Sequence, residues 1–427
     1  MHKSANRNGK KDERRKGGTI MQDLENIPEI EQENEPEKFE EGYVKENSKI
    51  DSFEIDPTEW EKIKDSPYEY ICEFYEKMYP RIGRKTWSVL SLMPCSILIP
   101  KINSEFKQIK QKISLLWISP SGSGKSSMAH ELNKIAYNPM MTQSITPARL
   151  NYEIEKRSNG EEIPKISLIV SDIAQLFSNE EFIKLLEGAI GEESEISRST
   201  MKNKKRPLTK KIDAIAYLSG TSKNIFDAKV RDGILGRTSS LITFFSEEDN
   251  SYIINHLNSR MGKPIKIHSV DIIKKYYQTL YDIQLGISKE FNPIEGYIIP
   301  EEIVNEIGLF ILALKPLKVI LEKWGLTSTR SLEQTYRFLV NSAYLNFFNR
   351  KVIDNELLIT SKDLEVAKKL TARECVQTYR ILKGIEAIDQ FNIQTERDLR
   401  AFEFNLAKTN KKIPDDMGYI MRGGLKK

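Results

Sequence analysis

The chain is predicted to be an α/β protein, in which a mostly parallel sheet is followed by an all-helical domain. Between about residues 66 and 260, short apolar runs of strand length alternate with stretches of helical period. This alternation is typical of a parallel sheet covered by helices. Beyond residue 265 only helical periods recur. One of the apolar runs, at residues 113–118, leads directly into a glycine-rich turn.

The 427 residues divide into four predicted segments. Residues 1–65 are predicted to be a disordered charged tail, because a basic patch is followed by an acidic stretch with few large apolar residues. Residues 66–260 are the predicted α/β core, and residues 261–371 are the predicted helical domain. Residues 372–427 are predicted to continue as a helical extension that ends in a basic tail.

The apolar periodicity locates the individual elements. In the core, strands are predicted at 113–118, 166–170, 212–218 and 241–245, and helices at 68–78, 85–92, 127–136 and 180–190. In the helical domain, helices are predicted at 270–283, 301–314, 317–324, 331–348 and 361–370.

Composition excludes several classes of protein. The three cysteines, Cys72, Cys95 and Cys375, lie far apart without a CxxC pair, which predicts buried thiols in a reducing compartment and no zinc or disulfide framework. No apolar run approaches the roughly 20 residues that span a bilayer. The basic N-terminus is not followed by an apolar segment, so no secretory signal is expected. The protein is therefore predicted to be cytoplasmic, without a membrane partner.

The glycine-rich turn reads Ser-Pro-Ser-Gly-Ser-Gly-Lys-Ser at residues 119–126. A P-loop has the pattern GxxxxGK[ST]: its N–H groups surround phosphates, its lysine reaches the β- and γ-phosphates, and its hydroxyl binds Mg²⁺. Ser119 stands at the first glycine, and the rest of the pattern is present. ATP and Mg²⁺ are therefore the predicted ligands, with Ser126 on the metal. The predicted nucleotide-binding residues are Ser121, Gly122, Ser123, Gly124, Lys125, Ser126 and Ser127.

An acidic residue is also expected near the phosphates, since Mg²⁺ needs a carboxylate and hydrolysis needs a group that orients water. Asp172 follows the predicted strand at 166–170 and is a single carboxylate where a pair is usual. It is interpreted either as the Mg²⁺-side acid, followed by Ile173, or as the catalytic base, with Ser171 in place of the first acid. A structural alternative is an acid that caps the next turn.

A basic run at residues 201–211 lies between a predicted helix and a predicted strand, so a loop or hairpin is expected. Its cations could neutralise several phosphates of a nucleic acid; a solvated lysine-rich loop is the alternative. A second, weaker candidate hairpin lies at residues 154–160. The predicted DNA-binding residues are Lys202, Lys204, Lys205, Arg206, Lys210 and Lys211.

The order of these features resembles the AAA+ ATPases, and within them the minichromosome-maintenance (MCM) helicase branch with its viral and plasmid relatives. The likeness covers about residues 85–370. The stretches that carry it are the P-loop, residues 185–198 before the pre-sensor hairpin, residues 215–221 at sensor 1, residues 233–244 at the arginine finger, and residues 329–334 and 358–365 in the lid.

This resemblance implies roles for three further residues in catalysis beside Asp172. Thr221 would be the sensor 1 residue, where the family has Asn. Arg237 would be the arginine finger that reaches the ATP of a neighbouring subunit, which implies a homo-oligomeric ring. Arg330 would be the sensor 2 arginine of the lid, and the basic run at 201–211 would be the hairpin that contacts DNA.

The resemblance implies an ATP-hydrolysing DNA helicase or translocase of replication. The N-terminal region is too short for the family's oligonucleotide-binding fold and zinc module, which fits a virus- or plasmid-type ATPase reduced to the motor. The single acid favours an alternative, a replication initiator or loader that uses ATP binding as an assembly switch with slow hydrolysis. A silent scaffold is a third hypothesis, disfavoured because Lys125 and Ser126 are intact.

Overall fold

The structure is a computed structural model. It describes residues 56–386 except for the internal segments 104–107, 120–121, 143–151, 154–155, 158–162, 174–179, 192–194, 199–207, 221–233, 235–236, 243–246, 262–268 and 315–327. The charged segment 1–55 and the tail 387–427 lie outside the described residues.

Ten helices and twelve strands are described here. The helices are α1 Pro57–Asp65, α2 Pro67–Met78, α3 Gly83–Leu90, α4 Lys125–Ile135, α5 Glu180–Ile190, α6 Glu247–Arg260, α7 Ser269–Gln284, α8 Glu301–Ala313, α9 Ser328–Leu345 and α10 Ser361–Glu386. The strands are β1 Ile102–Asn103, β2 Gln108–Ile109, β3 Leu115–Ile118, β4 Pro139–Thr142, β5 Lys165–Val170, β6 Glu195–Arg198, β7 Leu208–Lys211, β8 Asp213–Gly220, β9 Ser239–Ile242, β10 Gly296–Ile298, β11 Val352–Ile353 and β12 Glu356–Leu358.

A five-stranded sheet forms the centre of the fold, in the order β4-β5-β8-β3-β9. All four of its strand pairs are parallel. Strand β3 pairs with β8 on one side and β9 on the other, and its four residues are buried. The parallel α/β core is therefore confirmed. Because the strands share one direction, all their carboxyl ends lie at the same edge of the sheet.

Successive residues of each strand face opposite sides of the sheet, as the pleat requires. In β3, Leu115 and Trp117 belong to one apolar cluster, and Leu116 and Ile118 belong to another. The first cluster includes residues of α3, α4 and α7, and the second includes residues of α5. Helices thus cover both faces of the sheet.

The helix that follows β3 is packed by the N-terminal helices. Trp87 of α3 is fully buried, and its indole Nε1 donates a hydrogen bond to Sδ of Met128 in α4 over 3.1 Å. The same indole stacks on Tyr75 of α2, with ring centroids 3.5 Å apart. This packing fixes the position of α4, whose first turn begins at Lys125.

Most elements predicted from periodicity are present with small shifts in their ends. Helix α5 has the predicted bounds, and β3, β5, β8 and β9 correspond to the four predicted strands. Strand β4 was not predicted, because it begins at a proline and, as an edge strand, has one fully buried residue, so it shows no continuous apolar run. The predicted helix at 317–324 lies outside the described residues, and α1 occupies the end of the segment predicted as a tail.

The prediction that no strand follows residue 265 is wrong, so the segment after the core is not all-helical. Strands β10, β11 and β12 form a small mixed sheet in the order β10-β12-β11. These strands have three residues or fewer, too few to show a period of two. The turn between β11 and β12 uses the left-handed conformation at Asp354 and Asn355, with φ of 50° and 62°.

The helices of this segment share a core with the sheet. Ile273 and Tyr277 of α7 lie in the same apolar cluster as Trp117 of β3. The hydroxyl of Tyr277 donates to the backbone oxygen of Ser91 over 2.6 Å. Within the described ranges, none of the helices combines the length and the apolar character that crossing a bilayer requires.

A buried ion pair joins the segment just before β11 to α10. Asp363 is fully buried, and its two carboxylate oxygens accept from Nη2 and Nε of Arg350 at 2.6 and 2.9 Å. One of these oxygens also accepts from the backbone N–H of Thr360 over 3.0 Å, at the start of α10. Removing the carboxylate would leave a buried guanidinium without its counter-charge.

We expect Asp363→Ala to lower the free energy of unfolding by about 3–5 kcal/mol, the usual cost of breaking a buried pair. The control is Glu69→Ala, which removes a pair with Arg84 whose side chains are about half exposed; little change is expected there. Denaturant titration of both variants measures the difference. Equal losses in the two variants would contradict this assignment.

Candidate phosphate-binding site

The turn between β3 and α4 has the backbone of an anion-binding loop. Gly122 and Gly124 have φ of 78° and 84°, and Gly124 is the residue before the first turn of α4. A Cβ at either glycine would meet nothing within 4 Å. Glycine is therefore required by the left-handed backbone and not by lack of space.

Ser119 stands where the P-loop pattern has its first glycine, and the structure accommodates the side chain. Ser119 is not among the described residues with positive φ, so its backbone does not demand glycine. Its hydroxyl makes a short hydrogen bond with the hydroxyl of Ser123, and both side chains are buried. The departure from the pattern thus adds a polar contact inside the loop.

The side chain of Lys125 lies over this loop. Its ammonium donates to the backbone oxygen of Ser119 over 2.9 Å and approaches the hydroxyls of Ser119 and Ser123 at 3.3 Å. Burial lowers the pKa of Lys125, and the negative charge of Asp172 acts in the opposite direction. A half-buried ammonium surrounded by hydroxyl and carbonyl oxygens is suited to exchange these contacts for an anion.

The first turn of α4 presents backbone donors at the same place. The earliest helical bond in this region runs from the N–H of Met128 to the oxygen of Gly124 over 3.0 Å. The N–H groups of Lys125, Ser126 and Ser127 precede it and have no carbonyl one turn back within the helix. The side chains of Ser126 and Ser127 are exposed. Such a helix start favours an anion through its donors and its dipole.

Asp172 lies at the carboxyl edge of the sheet, directly after β5 and its neighbour Ser171. The loop follows β3 and the acid follows β5, and β8 lies between these two strands in the sheet. The end of β5 is fixed to β8: the hydroxyl of Ser219 donates to the oxygen of Ser171 over 2.8 Å, and the N–H of Ile173 donates to the oxygen of Ser219 over 2.9 Å.

The two interpretations of Asp172 differ in the role of Ser171, which replaces the metal-side acid only if Asp172 is the base. Ser171 is buried, whereas Asp172 is exposed and interacts electrostatically with Lys125. Asp172 is thus the group of this pair that faces solvent beside the loop. Its position suits both a metal-side acid and a base.

Two residues of β8 support the site although the sequence did not indicate them. The hydroxyl of the buried Tyr217 donates to the backbone oxygen of Lys125 over 3.0 Å, which ties β8 to the first turn of α4. Ser219 fixes the end of β5, as described above. Alternation along β8 predicts which side Tyr217 faces, but it does not reveal which atom its hydroxyl reaches.

Thr221, the predicted sensor 1 residue, lies outside the described residues, as does Ser121 of the loop. The residue before Thr221 is described: Gly220 pairs with Ile118 at the last position of β3. The oxygen of Gly220 accepts from the N–H of Ser119 over 3.2 Å. The strand that leads to Thr221 therefore ends beside the start of the loop.

Arg237 lies at the other edge of the sheet. It is exposed and precedes β9 by two residues, and the first residue of β9, Ser239, pairs with Leu115 at the start of β3. Four residues of strand span about 13 Å, and the loop follows the far end of β3. Within one chain, the structure therefore does not bring Arg237 to Lys125.

Arg330 lies in the first turn of α9 and is partly buried. One turn later, Nε2 of Gln334 donates to the hydroxyl of Ser239 over 2.6 Å. Helix α9 thus passes the start of β9, at the amino edge of the sheet, while the loop lies at the carboxyl edge. Arg330 and the described residues of the loop are therefore placed towards opposite edges of the sheet.

The end of the basic run, Leu208–Lys211, is a strand that pairs with β6, which agrees with the predicted loop or hairpin. Strands β6 and β7 pair antiparallel, with Glu195 opposite Lys211 and Ile196 opposite Lys210. The connecting segment with Lys202, Lys204, Lys205 and Arg206 lies outside the described residues. Of the second candidate hairpin at 154–160, Lys156 and Arg157 are helical, and the other residues lie outside the described ones.

The residues near the loop fit Mg²⁺ held together with phosphates. Among the described residues, no group of three or more His, Cys, Asp or Glu side chains could hold a metal on its own. Mg²⁺ usually keeps several waters and takes one or two protein ligands plus phosphate oxygens. The hydroxyl of Ser126 and the carboxylate of Asp172 are adequate for that arrangement.

The chain matches no protein-family model, and no curated protein is significantly similar to it. The functional interpretation therefore rests on the motif and on the geometry of the loop.

We expect Gly124→Ala to destabilise the protein by roughly 1–2 kcal/mol, because alanine is strained in the left-handed conformation. The matched control is Gly308→Ala in α8, where a Cβ also meets nothing within 4 Å but φ is not positive. That change should stabilise by about 0.5–1 kcal/mol. Unfolding midpoints measure both, and a stabilising effect of Gly124→Ala would show that the loop backbone is described wrongly.

Proposed function

We propose that the chain is an AAA+ type ATPase that acts as a DNA helicase or translocase in replication. The observation that carries the proposal is the loop after β3: two left-handed glycines, a half-buried lysine over them, and the start of a helix at the carboxyl edge of a parallel sheet. Open parallel sheets bind ligands outside the carboxyl ends of their strands.

The loop residues are suited to hold the phosphates of ATP. The backbone N–H groups from Gly122 to Ser127 would donate to phosphate oxygens, and Lys125 would exchange its contacts with Ser119 for the β- and γ-phosphates. Ser126 and Asp172 would hold Mg²⁺. The bound nucleotide supplies a phosphoanhydride bond whose hydrolysis releases free energy.

Hydrolysis requires stabilisation of charge on the transferred phosphoryl group, and an arginine can supply it from a second subunit. Arg237 is exposed at the edge opposite the loop, which favours contact with a neighbouring copy. Such a contact joins two different surfaces of identical chains, and its repetition produces a closed ring or an open helix. A homo-oligomeric ring with composite sites is the assembly proposed here.

The segment after the core is proposed to act as the lid of this ATPase, with Arg330 as its sensor arginine. Helices α9 and α10 lie beside β9, at the border between core and lid. The small sheet of β10, β11 and β12 is then part of the lid. Thr221, which follows the end of β8 next to the loop, is proposed as the sensor 1 residue.

DNA is the polymer along which the protein is proposed to move. The hairpin of β6 and β7 leads directly into β8 at the amino edge of the sheet, the edge that also carries Arg237. Its basic residues offer charge for several phosphates. A contact with DNA there is connected through β8 to the edge where ATP is proposed to bind.

A second function remains supported by one observation. Asp172 is the single acidic residue directly after β5, and slow hydrolysis is expected where one of two acids is missing. An initiator or loader that uses ATP binding as an assembly switch would tolerate this. Turnover measured with and without DNA separates the two functions, because only the motor needs DNA-stimulated hydrolysis.

We expect Lys125→Ala and Arg237→Ala to be inactive as ATPases alone and to regain activity when mixed. A subunit with intact Lys125 can then meet a neighbour with intact Arg237. Random mixing at equal concentration gives about a quarter of interfaces with both groups, so about a quarter of wild-type turnover is expected.

The control for this mixing experiment is Lys125→Ala mixed with a Lys125→Ala, Arg237→Ala double variant, which contains no complete interface. Full activity of Arg237→Ala alone would exclude the arginine from the reaction. Loss of activity without recovery on mixing would place its action within its own chain.

We expect Lys204→Ala with Lys205→Ala to weaken binding of single-stranded DNA of any sequence. If both lysines contact phosphates, the slope of log affinity against log salt should fall by about one per lysine. The control is Lys289→Ala with Lys351→Ala, two exposed lysines elsewhere. Fluorescence anisotropy with a labelled oligonucleotide at several salt concentrations measures the slopes. Equal slopes in both double variants would contradict a DNA contact at the hairpin.

A further inference from the structure

A buried lysine connects the segments on both sides of the hairpin. Lys112 precedes β3 by three residues, and its side chain is 7% exposed. Its ammonium donates to the backbone oxygens of Ala189 and Gly191 over 3.2 and 2.8 Å. The same ammonium lies 2.9 Å from Oδ1 of Asp213. These four residues are called the Lys112 junction below.

The junction contacts the chain where it enters and where it leaves the hairpin. Ala189 and Gly191 lie at the end of α5, shortly before β6 begins. Asp213 is the first residue of β8, and only Ile212 separates it from β7. Strands β6 and β7 are paired with each other. Fixing the chain before β6 and after β7 therefore determines where the hairpin projects from the core.

Arg237 lies beside the same junction. A Cβ built on Gly191 would be 3.4 Å from Nε of Arg237. Lys112 therefore binds the backbone oxygen of Gly191, and Arg237 lies beside that same residue. The ammonium of Lys112 thus contacts Asp213, next to the hairpin, and Gly191, next to Arg237. Arg237 is the arginine proposed to reach a neighbour's ATP.

Burying the ammonium of Lys112 at this position is energetically unfavourable by itself. Burial lowers the pKa of Lys112 to about 8, although the charge of Asp213 acts against the shift. Burial of an ammonium is tolerated only when it is paired and hydrogen-bonded. Lys110 also reaches Oδ1 of Asp213, over 3.2 Å. The cluster therefore joins the chain before β3 to the base of the hairpin through charge and not through apolar packing alone.

We propose that Lys112 is a positioning residue that couples ATP turnover to DNA contact. It fixes the hairpin and Arg237 to the start of β3, the strand that ends in the phosphate-binding loop. DNA that displaces the hairpin thereby displaces Arg237, and the rate of hydrolysis at the neighbouring site changes. This inference rests on the proposed function and deepens it.

The test compares full-length wild type with Lys112→Met, Asp213→Asn and Lys368→Met. Lys368 is the matched control, a lysine that is 8% exposed and paired with Glu306 away from the hairpin. For each protein, ATP turnover is measured with and without a single-stranded oligonucleotide, together with oligonucleotide affinity and melting temperature. Asp213→Asn keeps the shape of the side chain and carries the test if Lys112→Met does not fold.

We expect the ratio of turnover with DNA to turnover without DNA to fall by about twofold to thirtyfold in Lys112→Met and Asp213→Asn, the range typical of altered coupling. The salt slope of DNA affinity should be unchanged in both, because neither residue contacts DNA in this proposal. Lys368→Met should keep the wild-type ratio even if its melting temperature falls.

Two results would overturn this inference without affecting the proposed function. One is a wild-type ratio of turnover with and without DNA in both Lys112→Met and Asp213→Asn, and the other is a ratio that is also reduced in Lys368→Met. If the wild type itself shows no stimulation by DNA, the motor function fails and the inference fails with it. The wild-type measurement therefore distinguishes the two failures.

Discussion

The common direction of the five central strands is the constraint on which the arrangement depends. Because β3, β5 and β8 run parallel, the loop with Lys125, the acid Asp172 and the residue before Thr221 all come to one edge. The segments that precede strands, with Arg237 and the end of the basic hairpin, come to the other edge. A single topological property thus divides the candidate functional groups into two sets.

This division explains why the proposed site needs a second copy of the chain. The group expected to stabilise the transferred phosphoryl and the loop expected to bind it lie at least one strand length apart in the same chain. If each subunit holds an incomplete site, as proposed, hydrolysis would depend on assembly. The same edge carries the hairpin, so the proposed interface would also adjoin the element proposed to contact DNA.

The sequence predicted the features that repeat or follow a pattern. The turn after β3, the strands β3, β5, β8 and β9, and helix α5 were predicted because their glycine spacing or periodicity is local. The small sheet of β10, β11 and β12 was missed because strands of two or three residues have no measurable period. Contacts between distant segments were also missed: no local pattern shows that Tyr217 bonds the backbone of Lys125, or that Lys112 meets Asp213.

The proposed function depends most directly on the loop after β3 binding the phosphates of ATP through Lys125. The most direct measurement is the equilibrium affinity of purified protein for a fluorescent ATP analogue, with and without Mg²⁺, in wild type and Lys125→Ala. We expect binding that Mg²⁺ strengthens and that Lys125→Ala weakens at least about tenfold, through the loss of a charge-assisted hydrogen bond of roughly 1.5–3 kcal/mol. Equal affinities in the two proteins, or no binding by the folded wild type, would contradict it.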